Sequence, residues 1–288
     1  LVATNVAAAA LSENGSHPEL LAGLLDGSAM VSWAHLEHTG SDRWDTVALD
    51  IRPDGDDLVL TGTKRPVESA ARAGHLLVTG RTNDGLSQVV VATDAPGVSI
   101  EPMESVDLTR RFSVVRFDDV RVPVSAAVGS VGAAADTIDR QLRVATVLTS
   151  VETVGAMQAA FDMTVEWAFD RYSFGRPLAS YQALKHRFAD MTTWLECAHS
   201  ITDEATAAVA ADATDADRLV GAAKAFVGQY GAELLQECVQ MHGGIGVTFE
   251  HDLHLYLRRG TLTRATYGTP SDHRVGLGTR LAMQEAAA

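Results

Sequence analysis

The chain of 288 residues is 46% hydrophobic, has a mean hydropathy of +0.03 and carries 37 acidic against 23 basic residues, a formal charge of -14. Because domains of about 100 to 200 residues are usual, this composition predicts a globular protein with more than one domain. The negative charge argues against a nucleic-acid backbone or an anionic membrane surface as the partner. Cys197 and Cys238 lie on predicted helices without metal-ligand spacing, so we expect two buried reduced thiols and a cytoplasmic location.

Residues 1–27 contain two short helical patterns and no core of their own. We interpret them as the remnant of an N-terminal helical domain that is mostly missing. The chain has neither a basic region followed by an apolar one at its start nor a run of about 20 apolar residues, so we predict no export signal and no membrane span.

Residues 28–128 are dense in β-branched residues and turn signals. The stretch TVALDIRPDGDDLVLTG predicts a hairpin with its turn at Pro53-Asp54-Gly55. Three more strand-like stretches follow it: HLLVTGRT, SQVVVATDA and FSVVRFDDVRVP. The pattern therefore predicts an antiparallel β-domain over residues 28–128.

Residues 129–288 have a helical period and form the second predicted domain, so the fold class is α+β. Breaks at Gly175 and Pro177 separate the first two helices. The predicted helices lie near residues 135–171, 179–211, 213–241, 249–259 and 270–286.

Several short patterns were weighed as sites. The histidine pairs HLEH at 35–38 and HDLH at 251–254 have the spacing of two metal ligands on a helix, but neither has a convincing third ligand, so a metal site is disfavoured.

The stretch QMHGGIGV at 240–247 holds three glycines in five positions. No Lys-Ser/Thr follows GGIG and no strand precedes it, so it is not a phosphate loop. As a bare string it indicates a helix stop with a close packing contact.

Two long stretches resemble the signatures of the acyl-CoA dehydrogenase flavoprotein family, in order and at a suitable separation. They are RYSFGRPLASYQALKHRFADM at 171–191 and QMHGGIGVTFEHDLHLYLRRG at 240–260. In the β-region, Gly40-Ser41-Asp42 resembles the family's Gly-Ser-Asp, and LTGTK at 60–64 resembles the strand before its flavin-facing Trp-Ile-Thr. The resemblance implies a central antiparallel β-barrel domain followed by a C-terminal four-helix bundle.

The resemblance also implies the cofactor FAD. Arg171, Ser173 and Phe174 are implied to touch its pyrophosphate region with Gln182 nearby, and a guanidinium does pair well with phosphate oxygens. The residues implied to line the ADP half are Gln240, Met241, His242, Gly243 and Gly244. Glycine allows the main chain to meet a nucleotide without a Cβ in the way. In this family the ADP half belongs to an FAD held mainly by the neighbouring subunit.

The family's catalytic base has no match in this chain. In the family, a carboxylate in a Tyr-Glu-Gly-Thr string removes the α-proton of the acyl-CoA while the β-hydride goes to the flavin. Here TYGT puts Tyr267 at the position of the glutamate. A phenol with a pKa of about 10 is a poor general base at neutral pH. The other known base position falls on Ala145, followed by Thr146, so we assign no catalytic residue.

The flavin-facing positions differ too. Pro66-Val67-Glu68 replaces the family's Trp-Ile-Thr, and His35-Leu36-Glu37 replaces its Thr-Glu-Pro. The aromatic wall is lost, and a hydroxyl donor becomes a carboxylate that, when ionised, only accepts hydrogen bonds.

Groups that serve a neighbour's cofactor are therefore kept, and groups that serve the chain's own reaction centre are absent. The chain resembles the non-catalytic subunit of a heteromeric α2β2 acyl-CoA dehydrogenase, as in actinobacterial steroid side-chain degradation. A homologous catalytic partner would then bind most of the acyl-CoA. Two alternatives stay open: a self-sufficient flavoenzyme whose base has moved to Glu152, about 10 Å along the helix from Ala145, and a cofactor-free scaffold subunit.

Overall fold

A computed structural model describes residues 2–37 and 46–287, with side chains described up to residue 283. Its contacts divide the chain into two compact units. The first unit comprises Leu1–Ser105 and Thr109–Ala145, and the second comprises residues 106–108 and 146–288. These units follow packing, and the domain boundaries after residues 27 and 128 stay a prediction.

The first unit consists of two short helices, a seven-stranded sheet and the start of a long helix. The short helices are α1 (Val2–Asn14) and α2 (Pro18–Asp26). The strands are β1 (Val31–Ala34), β2 (Asp50–Asp54), β3 (Asp57–Glu68), β4 (His75–Thr82), β5 (Gly85–Ala92), β6 (Val98–Met103) and β7 (Phe112–Pro123).

The strand order is β1-β4-β2-β3-β7-β6, with β5 paired to β4. Most pairs are antiparallel, but β1 and β2 each run parallel to β4, so the prediction of a wholly antiparallel domain is wrong. The physical reason is connectivity. The hairpin β2–β3 separates β1 from β4, and strands joined through such a crossover can lie parallel. The described pairings form an open path, and closure into a barrel stays a prediction.

The predicted hairpin exists, but its turn lies slightly later in the chain. Pro53 and Asp54 belong to β2, Asp54 pairs with Asp57, and the loop is Gly55-Asp56. Gly55 has a φ of 64°, which glycine adopts without a steric penalty. The sheet buries one continuous apolar core, made by residues such as Ile51, Leu58, Leu60, Leu76, Val89, Val115 and Phe117.

The remaining elements are five helices and a minimal hairpin. The helices are α3 (Ala135–Asp170), α4 (Gln182–Ala210), α5 (Ala216–His242), α6 (Leu253–Ala265) and α7 (Pro270–Ala287). The hairpin of β8 (Tyr172–Ser173) and β9 (Arg176–Pro177) connects α3 to α4. In the second unit α5 packs against α4, α6 and α7. Residues 129–288 thus contain five described α-helices, one more than a four-helix bundle has, and the four-helix bundle stays a prediction.

Helix α3 is long and apolar enough to cross a membrane by length and composition alone. Just over half of its most apolar stretch is buried inside the fold, as in the core helix of many globular proteins. Its described core contacts include Met157 and Ala160.

The two cysteines differ in environment. Cys238 is buried, and burial raises the pKa of its thiol to about 12. Cys197 is exposed, so the prediction of two buried thiols is wrong for it. On α4 the buried positions include Met191, Leu195 and Ala198, which recur at helical spacing, and Cys197 falls outside that stripe.

Candidate cofactor site

A chain of contacts between four side chains connects the two signature stretches in the second unit. The guanidinium of Arg171 lies over the Trp167 ring, 5.8 Å from its centroid. The Trp167 ring stacks on His242 at 5.2 Å with an interplanar angle of 16°, and His242 meets His251 edge-on at 4.7 Å. The end of α3 and the end of α5 are therefore joined by a continuous aromatic contact.

The hairpin after α3 is fixed at its base and projects an aromatic side chain at its tip. The Tyr181 hydroxyl donates to the Ser173 carbonyl at 2.7 Å, and the Arg176 guanidinium lies 3.8 Å from the centre of the Tyr181 ring. Phe174 sits in the two-residue turn with a φ of 50° and is 97% exposed. A bulky apolar side chain held so far out is available to cover a ligand.

The glycines of the turn after α5 have different structural reasons. Gly243 ends the helix with a φ of 66° and a ψ of -140°, a conformation close to glycine-only. A Cβ on Gly246 would lie 2.8 Å from the Val239 carbonyl oxygen, so this glycine is required by packing inside the chain. A Cβ on Gly244 would meet nothing within 4 Å, and its φ is not in the left-handed range. No contact among the described residues explains why residue 244 is glycine.

His242 is held in one orientation. Its Nδ1 lies 2.8 Å from the Cys238 carbonyl oxygen, which can only accept, so Nδ1 carries the hydrogen. Burial lowers the pKa of His242, which favours the neutral imidazole. Its Nε2 is buried and has no hydrogen-bond partner among the described residues.

The other predicted site residues lie around this stack. Gln240 is exposed on the last turn of α5, Met241 is half-buried and packs against the helical core, and Gln182 is exposed as the first residue of α4. Trp167 was missed by the sequence reasoning. Its position four residues before Arg171 in the predicted helix 135–171 was the available signal, since residues at that spacing share a helix face.

These residues fit FAD, the cofactor that the family resemblance implies. The structure offers an exposed arginine for a diphosphate, an exposed phenylalanine, and an open glycine main chain at Gly244 that this chain itself does not fill. An acidic protein that exposes such a local group can still bind one nucleotide, because short-range contacts decide the binding.

The two positions that the resemblance aligns with the family's base, Ala145 and Tyr267, hold no carboxylate. Ala145 is fully buried, as is nearly all of Thr146. Tyr267 has a φ of 58°, and its carbonyl oxygen lies 2.9 Å from Nε2 of His273. The neighbouring Thr266 carbonyl accepts from the buried Lys224 ammonium at 2.7 Å. The turn at Thr266-Tyr267, which the resemblance aligns with the family's base, is thus held by contacts of the Lys224 and His273 side chains with its carbonyl oxygens.

Glu152, the alternative base, is engaged by an arginine. The Arg259 guanidinium contacts both the Glu152 carboxylate and the fully buried Asp107 carboxylate, all within the second unit. A general base needs a lone pair within reach of the proton it removes. Since Glu152 forms this ion pair, the structure supports its structural use over the relocated-base interpretation.

The positions that face flavin in the family have other contacts in the first unit. Val67 is fully buried, and the Glu68 carboxylate lies 3.5 Å from Arg110. The buried Lys64 ammonium lies 2.5 Å from the Glu37 carboxylate and donates to the His35 carbonyl at 2.9 Å. Gly40-Ser41-Asp42 lies outside the described residues.

The histidine pairs show no metal-binding geometry in the part of the chain that the structure describes. No group of three or more His, Cys, Asp or Glu side chains there could hold an ion. His251 Nδ1 accepts from the Leu253 amide at 3.1 Å, so it caps α6, which begins four residues later than predicted. His254 packs against Phe249, and His38 lies outside the described residues.

Comparisons with known proteins agree with the resemblance. Residues 135–280 match the family model of the acyl-CoA dehydrogenase C-terminal domain. The chain is 35% identical over 185 residues to acyl-CoA dehydrogenase IpdE2 of Mycobacterium tuberculosis, covering 62% of this chain and 52% of the relative. It is 29% identical over 197 residues to IpdE2 of Mycolicibacterium smegmatis, covering 66% of this chain and 57% of the relative. The chain thus spans a little over half the length of these curated relatives.

A solved structure shows the same fold. The structure of a glutaryl-CoA dehydrogenase from Mycobacterium smegmatis in complex with FADH2 superposes with a TM-score of 0.90 at 22% identity, covering 96% of this chain and 72% of the other.

Proposed function

Because the chain belongs to the acyl-CoA dehydrogenase family, we propose that it is the non-catalytic subunit of a heteromeric FAD-dependent acyl-CoA dehydrogenase. It supplies the ADP-binding half of an FAD site whose flavin face and catalytic base lie on a homologous partner subunit. One contrast carries the proposal. Arg171, Phe174 and the main chain at Gly243-Gly244 are exposed, whereas Ala145 and Tyr267 occupy the two positions that the resemblance aligns with the family's base.

The chain's own residues bind and orient the cofactor. Arg171 would form charge-assisted hydrogen bonds with the pyrophosphate of bound FAD. The exposed Phe174 would cover the adenosine side, and the open main chain at Gly243-Gly244 would let the nucleotide approach closely. When bound, FAD supplies the two-electron oxidant for α,β-dehydrogenation of an acyl-CoA thioester.

The partner performs the proton abstraction in this proposal. A buried methyl group at residue 145 cannot accept a proton, and a phenol is poorly matched to that task at neutral pH. The Glu152 carboxylate is paired with Arg259. No described group of this chain therefore combines the family position with the chemistry of a base.

The assembly that follows is an α2β2 heterotetramer in the cytoplasm with two FAD, one for each pair of unlike subunits. The partner binds most of the acyl-CoA. The resemblance to subunits that act on bulky CoA thioesters extends the proposal to substrates such as steroid side chains. The similarity to two proteins named as acyl-CoA dehydrogenases supports the reaction class.

The experiment that tests the proposal is reconstitution with homologous acyl-CoA dehydrogenase subunits from the same genome, each co-expressed with this chain. We expect the chain alone to hold little FAD and to show no acyl-CoA oxidation with an artificial electron acceptor. The mixed complex should be yellow, active and carry two FAD per tetramer. A yellow, active homo-oligomer, or a mixed complex with four FAD, contradicts the shared site. An active complex whose FAD content and FAD affinity equal those of the partner subunit alone supports the scaffold alternative.

Arg171→Ala provides the residue-level test. Each charge-assisted hydrogen bond contributes about 1.5 to 3 kcal/mol, so the variant complex should bind FAD about tenfold more weakly or worse. Arg218→Ala is the matched control, because it removes the same charge from an exposed ion pair with Asp215 at the opposite end of α5. Equal FAD content and rate for the two variants shows that the site was assigned to the wrong face.

A further inference from the structure

Trp167 belongs to neither signature stretch, yet its ring contacts a residue of each. It lies half-buried on α3, four residues before Arg171. The Arg171 guanidinium is 5.8 Å from the ring centre, and the imidazole of His242 is stacked on the ring at 5.2 Å. The indole is thus the described contact that joins the arginine to the glycine turn.

We propose that Trp167 is a positioning residue that fixes the Arg171 guanidinium relative to the Gly243-Gly244 main chain. The inference deepens the proposed function and rests on it. A free arginine samples many rotamers, and ordering it on a ligand costs conformational entropy. A guanidinium attracted to an indole ring is already restricted before the diphosphate arrives.

His242 makes this arrangement rigid. It is buried, its Nδ1–H donates to the Cys238 carbonyl at 2.8 Å, and the Gly243 backbone follows it directly. The ring that Trp167 stacks on is therefore tied to the helix end that leads into the glycine turn. A shift of the indole moves Arg171 and the main chain out of register with one another.

The charges of the stacked side chains also favour this arrangement, because Arg171 is cationic and its neighbour His242 is not. His242 Nδ1 donates its hydrogen to the Cys238 carbonyl, and burial lowers the pKa of the ring, which favours its neutral form. A neutral imidazole stacks on the indole without repelling the nearby guanidinium. The neutral neighbour thus leaves the positive charge of Arg171 available for phosphate oxygens.

The test is a double-mutant cycle on the mixed complex, with FAD as the titrated probe. Trp167→Leu should weaken FAD binding by about three- to tenfold, because it removes the π face that orders the arginine. In the Arg171→Ala background the same substitution should change FAD affinity by less than about twofold, since Trp167 acts through the missing guanidinium. A purely structural role gives equal losses in both backgrounds and overturns the inference.

Trp167→Phe should restore most of the wild-type affinity, because an aromatic face remains. Trp167→Met is a second variant that keeps apolar volume without a ring, in case the leucine variant does not fold. Trp194→Phe is the matched control and should leave FAD affinity unchanged. Trp194 lies on α4, and its ring contacts Tyr230 of α5. Wild-type affinity in both Trp167→Met and Trp167→Leu overturns the inference alone. Unchanged FAD binding in Arg171→Ala overturns the proposed function beneath it.

Discussion

Gly244→Ala should weaken FAD binding without lowering stability. A Cβ at residue 244 meets no atom of the described residues within 4 Å, and the backbone φ there is outside the left-handed range. Replacing glycine by alanine at such a compatible position reduces the entropy of the unfolded chain. The free energy of unfolding should therefore stay the same or rise by up to about 1 kcal/mol.

The effect on the cofactor should have the opposite sign. If the main chain lies in van der Waals contact with the nucleotide, the added methyl group must displace it or the turn. Overpacking of a fitted contact costs about 1 to 3 kcal/mol, which corresponds to FAD binding about five- to 150-fold weaker. The loss is steric, so it should persist at high salt, whereas the Arg171→Ala effect should shrink there.

Two glycines provide matched controls for this substitution. Gly246→Ala places its Cβ 2.8 Å from the Val239 carbonyl and 2.9 Å from the His242 Cβ, so it should destabilise the chain by about 1 to 3 kcal/mol. Gly155→Ala on α3 meets nothing within 4 Å and should raise helix stability by about 1 kcal/mol with unchanged FAD affinity.

Urea unfolding of the isolated chain and FAD titration of the mixed complex separate the two quantities. Normal FAD affinity for Gly244→Ala shows that no cofactor approaches this turn. A fall in stability shows instead that glycine is needed for the fold, and either result refutes the reasoning.

Three further substitutions test other parts of the chain. Burial lowers the pKa of Lys64 from its usual 10.5 to about 8, so between these pH values the unfolded chain binds more protons than the folded chain. The free energy of unfolding of the wild type, measured relative to Lys64→Met, should therefore rise by about 3 kcal/mol as the pH increases from about 8 to 10.5. A difference between the two proteins that does not change with pH in urea melts contradicts this. Tyr267→Glu should create no acyl-CoA oxidation in the isolated chain, because misplacement by about 1 Å costs on the order of a hundredfold in rate; measurable turnover with an artificial acceptor refutes it. Lys224→Met leaves the Thr263 and Thr266 carbonyls without their ammonium donor and should destabilise the chain by about 2 to 4 kcal/mol in urea melts, while the exposed Lys185→Met should be neutral.

The long helices could be predicted because their signals are local. Helix α3 was expected at 135–171 and runs from Ala135 to Asp170, since helical periodicity continues until the Gly175 and Pro177 breaks. The parallel pairing of β1 with β4 carries no such local signal. It depends on which strand enters the sheet beside which, and a hairpin of two other strands lies between them in the chain.

The site was only partly predictable for the same reason. The two signature stretches identified Arg171 and His242, but not the indole that joins them, because stacking is a tertiary contact. The ion pairs of Arg259 with Asp107 and Glu152 span more than a hundred residues of sequence, and no spacing rule predicts them. The ion pair with Arg259 supports a structural use of Glu152, a choice that the sequence left open.

Some residues near the candidate site are explained by contacts within this chain, and others are not. Gly246 and Ala145 are explained by contacts within the chain, since one faces the Val239 carbonyl and the other is fully buried. Gly244 and the 97% exposed Phe174 have no such explanation among the described residues. An exposed phenylalanine does not contribute the stability that burial of its apolar surface would give. A glycine in a conformation that alanine could adopt lowers stability, because it increases the conformational entropy of the unfolded chain. Both residues make physical sense when a ligand held by another subunit covers them, and this is where the family resemblance puts the ADP half of FAD.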